Sequence, residues 1–191
     1  MTEKEFAALA RRNPVNDTIL RGLPRLGLPD AWLVSGCLFQ TAWNIRTGRD
    51  IQHGIRDHDL FYFDPDTSYA AEDAIIRRVR DAFPDIAATI EVRNQARVHL
   101  WYTEKFGAPY PPLQRATDGI DRFLMDCAQV GMRSDGTVYA PKGLADLEAM
   151  IARPNRTANF QAALYRAKVE RWKAFWPELT ILPAMEPDTS C

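Results

Sequence analysis

The feature that most constrains this chain is a strand-like run that breaks at a glycine into a helix and is then answered by a second strand. Residues 31–35 hold Trp32, Leu33 and Val34, and the run stops at Gly36. From Cys37 to Arg46 the apolar spacing becomes helical, with Leu38, Ala42 and Ile45 near one face. Residues 47–56, TGRDIQHGIR, hold two glycines and many polar side chains, so they read as a loop. Residues 57–64, DHDLFYFD, then bring an aromatic centre that favours a strand and end on the turn signal Asp64, Pro65, Asp66. Short strands alternating with helices predict an α/β (α+β) domain, a small mixed sheet packed with helices.

The same pattern continues on both sides. Residues 3–12 and 15–25 carry helical spacing, and Pro24, Gly27 and Pro29 end it. Thr67 or Ser68 caps a helix that runs to about Phe83, and residues 89–93 form a third strand candidate. Asn94 opens a predicted helix through Lys105, and the prolines of residues 108–113 force an irregular crossing. A short helix is expected over residues 118–125. Residues 128–132 and 137–140 flank Ser134, Asp135 and Gly136, a hairpin signal. Residues 144–151 and 159–175 read as helices, and Pro177, Pro183 and Pro187 predict a tail without regular structure. We therefore expect a single domain over residues 1–191: a core at about 28–140, a helical extension at about 141–176 and an irregular tail at 177–191.

Composition narrows the partners. Lys and Arg number 24 against 25 Asp and Glu, for a net charge of −1, so no global basic field exists to hold many phosphates and long nucleic acid is not an expected partner. Cys37, Cys127 and Cys191 are odd in number and far apart, giving neither a zinc spacing nor a disulfide framework. No stretch approaches the roughly 20 apolar residues that span a bilayer, and MTEKEFAALARRN reads as an amphipathic helix rather than a signal peptide. A cytoplasmic protein without a membrane partner is the expectation.

The chemistry gathers in residues 36–91. Phosphoryl and nucleotidyl transfer use divalent cations that bridge phosphate oxygens, and hard cations such as Mg²⁺ (or Mn²⁺) take carboxylate ligands. Asp57 and Asp59 stand at i and i+2 of a strand, on one face about 7 Å apart. Phe61 and Phe63 share that face, whereas His58 points away. Glu91, in the next strand candidate, becomes a third carboxylate if the two strands are neighbours, and Thr89 and Arg93 then share its face. Asp85 is its rival, but follows Pro84 in a predicted turn. Gly36, between strand and helix, lets backbone N–H groups at a helix N-terminus approach a phosphate.

The runs WLVSGC, TAWN, RDHDLFYFD, EVRNQARVHLWY and YAPKGLADL, in that order, resemble a bacterial nucleotidyltransferase-like family formerly described as a domain of unknown function. That family is similar to the polymerase-beta nucleotidyltransferase superfamily, including the head domain of CCA-adding enzymes. The resemblance covers residues 32–176. It implies a nucleotidyltransferase fold, an NTP substrate, Asp57, Asp59 and Glu91 as the catalytic and metal-binding acids, and Gly36 and Cys37 as the nucleotide-binding turn. Two positions depart from the pattern: Cys37 lacks the serine hydroxyl of a Gly-Ser pair, and Phe39 falls where CCA-adding heads carry a basic residue. Arg46, Arg49 and Arg56 are the nearby cations in sequence.

Those departures leave two readings: a metal-dependent nucleotidyltransferase acting on a small-molecule or macromolecular hydroxyl acceptor, or a catalytically impaired module that keeps the fold and binds nucleotide or protein. A glycosyltransferase D-x-D is a third, for which 56 residues upstream leave too little room. Asn94, Gln95, Arg97 and His99 are read either as base, ribose or acceptor contacts or as a cap and polar face. Trp43, Trp101, Trp172 and Trp176 are read as core, ahead of the alternative that they stack a base. Covalent catalysis by Cys37 is not expected, because no Cys-His arrangement accompanies it.

Overall fold

The computed structural model describes residues 1–184. Two helices open the chain. α1 (Glu3–Ala10) begins with a capping box between Thr2 and Glu5, and α2 (Pro14–Leu26) is capped by Asn13 and ends at Gly27 in the left-handed region, φ 58°. β1 (Trp32–Val34) turns sharply into α3 (Gly36–Arg46), and β2 (His58–Tyr62) returns after the loop. α4 (Tyr69–Ala82), capped by Ser68, crosses to β3 (Ile90–Asn94).

The expected helix over 94–105 is divided. A 3₁₀ stretch at Gln95–Leu100 precedes a short α5 (Tyr102–Phe106). Asn94 causes the division: its side chain accepts from the N–H of Ala96 and Asp64 and donates to the carbonyls of Asp64 and Asp66, tying this turn to the end of β2. α6 (Ala116–Ile120) is shorter than the sequence suggests and starts earlier. β4 (Gly131–Met132) and β5 (Val138–Tyr139) form the expected hairpin. α7 (Ala145–Glu148) ends early because Met150 turns back at φ 55° into β6 (Ile151–Ala152). α8 (Ala162–Phe175) follows, and β7 (Thr180–Ile181) pairs with β6 in parallel, so a strand stands where the prolines predicted irregular chain. The rest of that tail, residues 185–191, lies outside the described residues.

The main sheet has the order β3-β2-β1-β4-β5. β2 and β3 are parallel, as a strand-helix-strand crossover requires, and the other pairs are antiparallel, so the sheet is mixed. β2 alternates: His58, Leu60 and Tyr62 are buried on one face, while Asp59 and Phe61 stand half-buried on the other. The first face joins the large core that runs from Phe6 in α1 to Leu179 beyond α8. On the second, Trp32, Val34, Ala116 and Ile120 form a smaller cluster with Phe61 and Phe123 against it. Among the described residues, no helix is long and apolar enough to cross a membrane.

The TAWN run is architectural. Thr41 donates to the Cys37 carbonyl at 2.6 Å, Trp43 donates to the Leu147 carbonyl at 2.8 Å, and Asn44 accepts from the Trp176 indole at 2.9 Å. These bonds fix α3 to α7 and to the end of α8. They explain why polar residues sit inside an otherwise buried helix.

Candidate active site

The site begins at the turn between β1 and α3. The sequence puts the special residue at Gly36, but Ser35 holds the strained backbone, with φ 56° and ψ −117°. The Ser35 N–H donates to the Val130 carbonyl at 2.8 Å, and its carbonyl accepts from Leu38, so both neighbours of the turn hold it in place. Gly36 is already helical. A side chain there would meet only the Gln40 amide, at 3.6 Å, so what the glycine preserves is open space over the helix terminus. No side chain caps α3, and the leading N–H groups of a helix have no intrahelical acceptor. The Asn16 amide donates to the Cys37 carbonyl at 3.0 Å and anchors this first turn to α2.

β1 runs antiparallel to β2 with Val34 opposite Asp59, so Gly36 emerges beside the start of β2, where Asp57 precedes the strand. β3 lies on the other side of β2, with Asp59 opposite Glu91 in parallel register. Side chains opposite one another on neighbouring parallel strands are about 4.8 Å apart at the backbone, on one face. The register therefore sets Glu91 beside Asp59 at one end of the sheet, with Asp57 just before the strand, as the neighbour condition on the two strands requires. His58 points to the opposite face. Buried there, it loses basicity to about 4, chiefly through desolvation, and is neutral near pH 7. Asp85 is exposed in the turn after α4.

Burial, then the negative charges of Asp57 and Glu91, push the Asp59 carboxyl up to about 7. Lys168 of α8 and Arg93 oppose that shift from nearby. Glu91 is exposed and accepts from Arg93 at 3.3 Å. Among the described residues, no three acidic, histidine or cysteine side chains are gathered closely enough to hold an ion as they stand. The donor set nevertheless fits a hard divalent cation: it is all carboxylate, and its central member lacks a full countercharge.

Cys37 is fully buried, and desolvation, then Asp59 and Asp57, raise its thiol well above the usual range. It is a packed thiol that donates weakly to the Val34 carbonyl at 3.7 Å, not a nucleophile. Phe39 is also fully buried, packed edge-on to Trp43 at 4.6 Å and Trp172 at 4.9 Å. The position where related heads carry a basic residue thus belongs to the core here. Arg49 is paired with Glu178 through two contacts of 2.9 and 3.1 Å, and Arg46 lines a separate small recess with Met1 and Leu9.

Lys168 escapes a local reading of the sequence. α8 carries two stripes: Tyr165, Val169 and Trp172 are buried in the core, while Leu164, Lys168 and Arg171 face a cavity of about 500 Å³. That cavity opens from Asp59 and Glu91 and passes Phe61, Arg93 and Gln95. Burial lowers the Lys168 ammonium, and Asp59 and Asp57 restrain the change. Helical spacing marks this stripe, and its direction is set by tertiary packing, with Trp172 against Phe39 and Trp43 and Tyr165 bonded to the Ala152 and Leu182 carbonyls.

The polar cluster after Glu91 divides in two. Arg97 is structural: it pairs with Glu72 and donates to the Thr67 carbonyl at 2.7 Å, while Glu72 also accepts the Asn94 N–H at 2.9 Å. Gln95 lines the cavity. Trp43, Trp172 and Trp176 are core as expected, but Trp101 is half-buried in the cavity wall.

With this geometry in place, a family described as Nucleotidyltransferase matches residues 21–181. The chain belongs to that nucleotidyltransferase family. A solved structure whose description reads "The NMR structure of the protein reveals a CCA-adding enzyme head domain" is similar at 25% identity and a TM-score of 0.75, over 94% of this chain and 95% of that one. No protein with a curated description matches. The expected fold and family are therefore those observed, and nucleotidyl transfer is the activity they support.

Proposed function

We propose that this nucleotidyltransferase moves a nucleoside monophosphate from an NTP to a hydroxyl acceptor and depends on Mg²⁺ (or Mn²⁺). One observation carries the reading: Asp59 and Glu91 stand in register on neighbouring parallel strands, with Asp57 two residues before Asp59, beside the uncapped terminus of α3.

Asp57, Asp59 and Glu91 would hold the cation. When bound, it would supply positive charge to the leaving pyrophosphate and acidify the acceptor hydroxyl. The N–H groups of Gly36 and Cys37 donate to triphosphate oxygens, a role that needs neither a serine hydroxyl nor a basic residue at position 39. The acceptor oxygen attacks the α-phosphorus, the bond from that phosphorus to the bridging oxygen breaks, and pyrophosphate leaves. The hydroxyl proton passes to Glu91 or Asp59. Without a cation, burial and the charges of Asp57 and Glu91 push the Asp59 carboxyl up to about 7, and a bound divalent cation would favour its carboxylate form.

The test is to incubate the protein with each NTP, Mg²⁺ and mixed small hydroxyl compounds and to follow pyrophosphate. Release that disappears in Asp59→Ala is expected. Calorimetry without Mg²⁺-dependent NTP binding, together with an Asp59→Ala variant that behaves as wild type, would sink the proposal. NTP binding without pyrophosphate release would instead identify a binding module.

A further inference from the structure

The geometry points to the cavity beside Asp59 and Glu91 as the acceptor side of the site, built for a small anionic compound with a planar ring. This inference rests on the proposed transfer reaction and adds a substrate class to it.

Position is the first argument. Gly36 and Cys37 are not part of the cavity wall, which leads from Asp59 and Glu91 toward β3, α5 and α8. An NTP seated on the α3 terminus leaves this space vacant on the far side of the acids. That is where an attacking hydroxyl has to come from, because the attacking and leaving oxygens lie in line across the phosphorus.

The wall chemistry is the second. Trp101, Tyr102 and Phe106 line one side, with Tyr102 centred 4.7 Å from Phe106 and 4.2 Å from Tyr110. Lys105 sits over the Trp101 and Phe106 rings at 5.6 and 5.2 Å, so a cation already rides on the aromatic surface. Arg122 and Arg171 also line the cavity, neither of them in an ion pair among the described residues. Such a concentration of cations in a nearly neutral protein marks a site for negative charge, and the rings supply a stacking face. About 500 Å³ suits a single small molecule rather than a polymer.

The test uses phenyl phosphate, which has the ring and the charge but is no nucleotide. Inorganic phosphate lacks the ring and benzyl alcohol lacks the charge. Calorimetry on the full chain in EDTA should show phenyl phosphate binding at least about tenfold tighter than either control. The Arg122→Ala/Arg171→Ala variant should lose about tenfold or more, as expected for removing charge-assisted hydrogen bonds. Arg171 is exposed and Arg122 half-buried, and circular dichroism checks that the variant folds. With Mg²⁺ and NTP added, phenyl phosphate should bind alongside the nucleotide with little change in affinity. Competition between them would make the cavity the NTP pocket and overturn the inference, as would phenyl phosphate binding no better than the controls or unchanged affinity in the double variant. Absence of Mg²⁺-dependent NTP binding counts against the transfer reaction, while the EDTA titrations still decide the ligand class.

Discussion

Replacing Asp59 with asparagine should stabilise the protein, and the gain should grow with pH. Asp59 has its carboxyl pushed from 3.8 up to about 7 by burial and by Asp57 and Glu91. The folded protein therefore keeps a proton on Asp59 at pH values where the unfolded chain has lost it. Stability from this group is greatest below pH 3.8 and falls as pH rises to 7, by about 4 kcal/mol in all and about 2.5 kcal/mol between pH 5 and pH 8. An asparagine at this position would have the same shape and no proton to lose, so the stability difference between Asp59→Asn and wild type should widen by that amount over the interval. His58 complicates either protein alone: with its pKa lowered to about 4, it adds stability as pH rises toward 6.5. It lies on the opposite face in both proteins, so it cancels in the difference. The assay is urea unfolding of both proteins at half-unit pH steps in EDTA. A second series with about 10 mM Mg²⁺ at pH 8 should raise the wild-type midpoint and leave Asp59→Asn unchanged, since only a ligand of the folded state stabilises it. A flat difference across pH 5 to 8 would refute the claim that burial and its acidic neighbours hold a proton on Asp59 in the folded protein.

Three further outcomes follow from packing around the site. Phe39→Lys, which installs the basic residue that CCA-adding heads carry, should destabilise by about 3 kcal/mol or more in urea unfolding and should not strengthen NTP binding, because position 39 is closed between Trp43 and Trp172. Iodoacetamide should leave Cys37 unmodified in the folded protein at pH 8 and alkylate it in urea, followed by peptide mass spectrometry; rapid native alkylation would contradict both its burial and its raised thiol. Arg97→Ala strands Glu72 as a buried charge and should cost about 3 kcal/mol in urea unfolding, with any folded fraction binding NTP as wild type does.

What the sequence discloses about this fold is local and periodic. The alternation of Leu60 and Tyr62 with Asp59 and Phe61 assigns the two faces of β2, and Ser68 and Gly27 mark helix ends by their own chemistry. At two helix starts a side chain that reaches across the chain makes the periodic pattern mislead. Asn94 diverts a would-be helix into a 3₁₀ turn because its amide is bound to Asp64 and Asp66. Asn159, counted as the start of the last helix, is instead held by donation to Tyr102 and to the Arg122 carbonyl, and α8 begins three residues later.

The same division applies to the site. The sequence reading has one strand carry both Asp57 and Asp59, whereas β2 begins at His58 and leaves Asp57 just before it; the expected neighbouring strand does bring Glu91 opposite Asp59. Lys168 and the cavity walls have no such signal. Their position follows from a tertiary chain of contacts: Asn16 pins the first turn of α3, α3 presents Phe39, and Phe39 seats Trp172. Trp172 then turns Leu164, Lys168 and Arg171 toward the acids. The residue that departs from the phosphate-binding pattern thus packs against the helix that carries Lys168. Phe39 has no charge to offer at the α3 terminus, and the helix it packs against carries the Lys168 ammonium close enough to Asp59 and Asp57 for their charges to act on it. The absence of a basic residue at position 39 therefore does not leave the acids without a nearby cation.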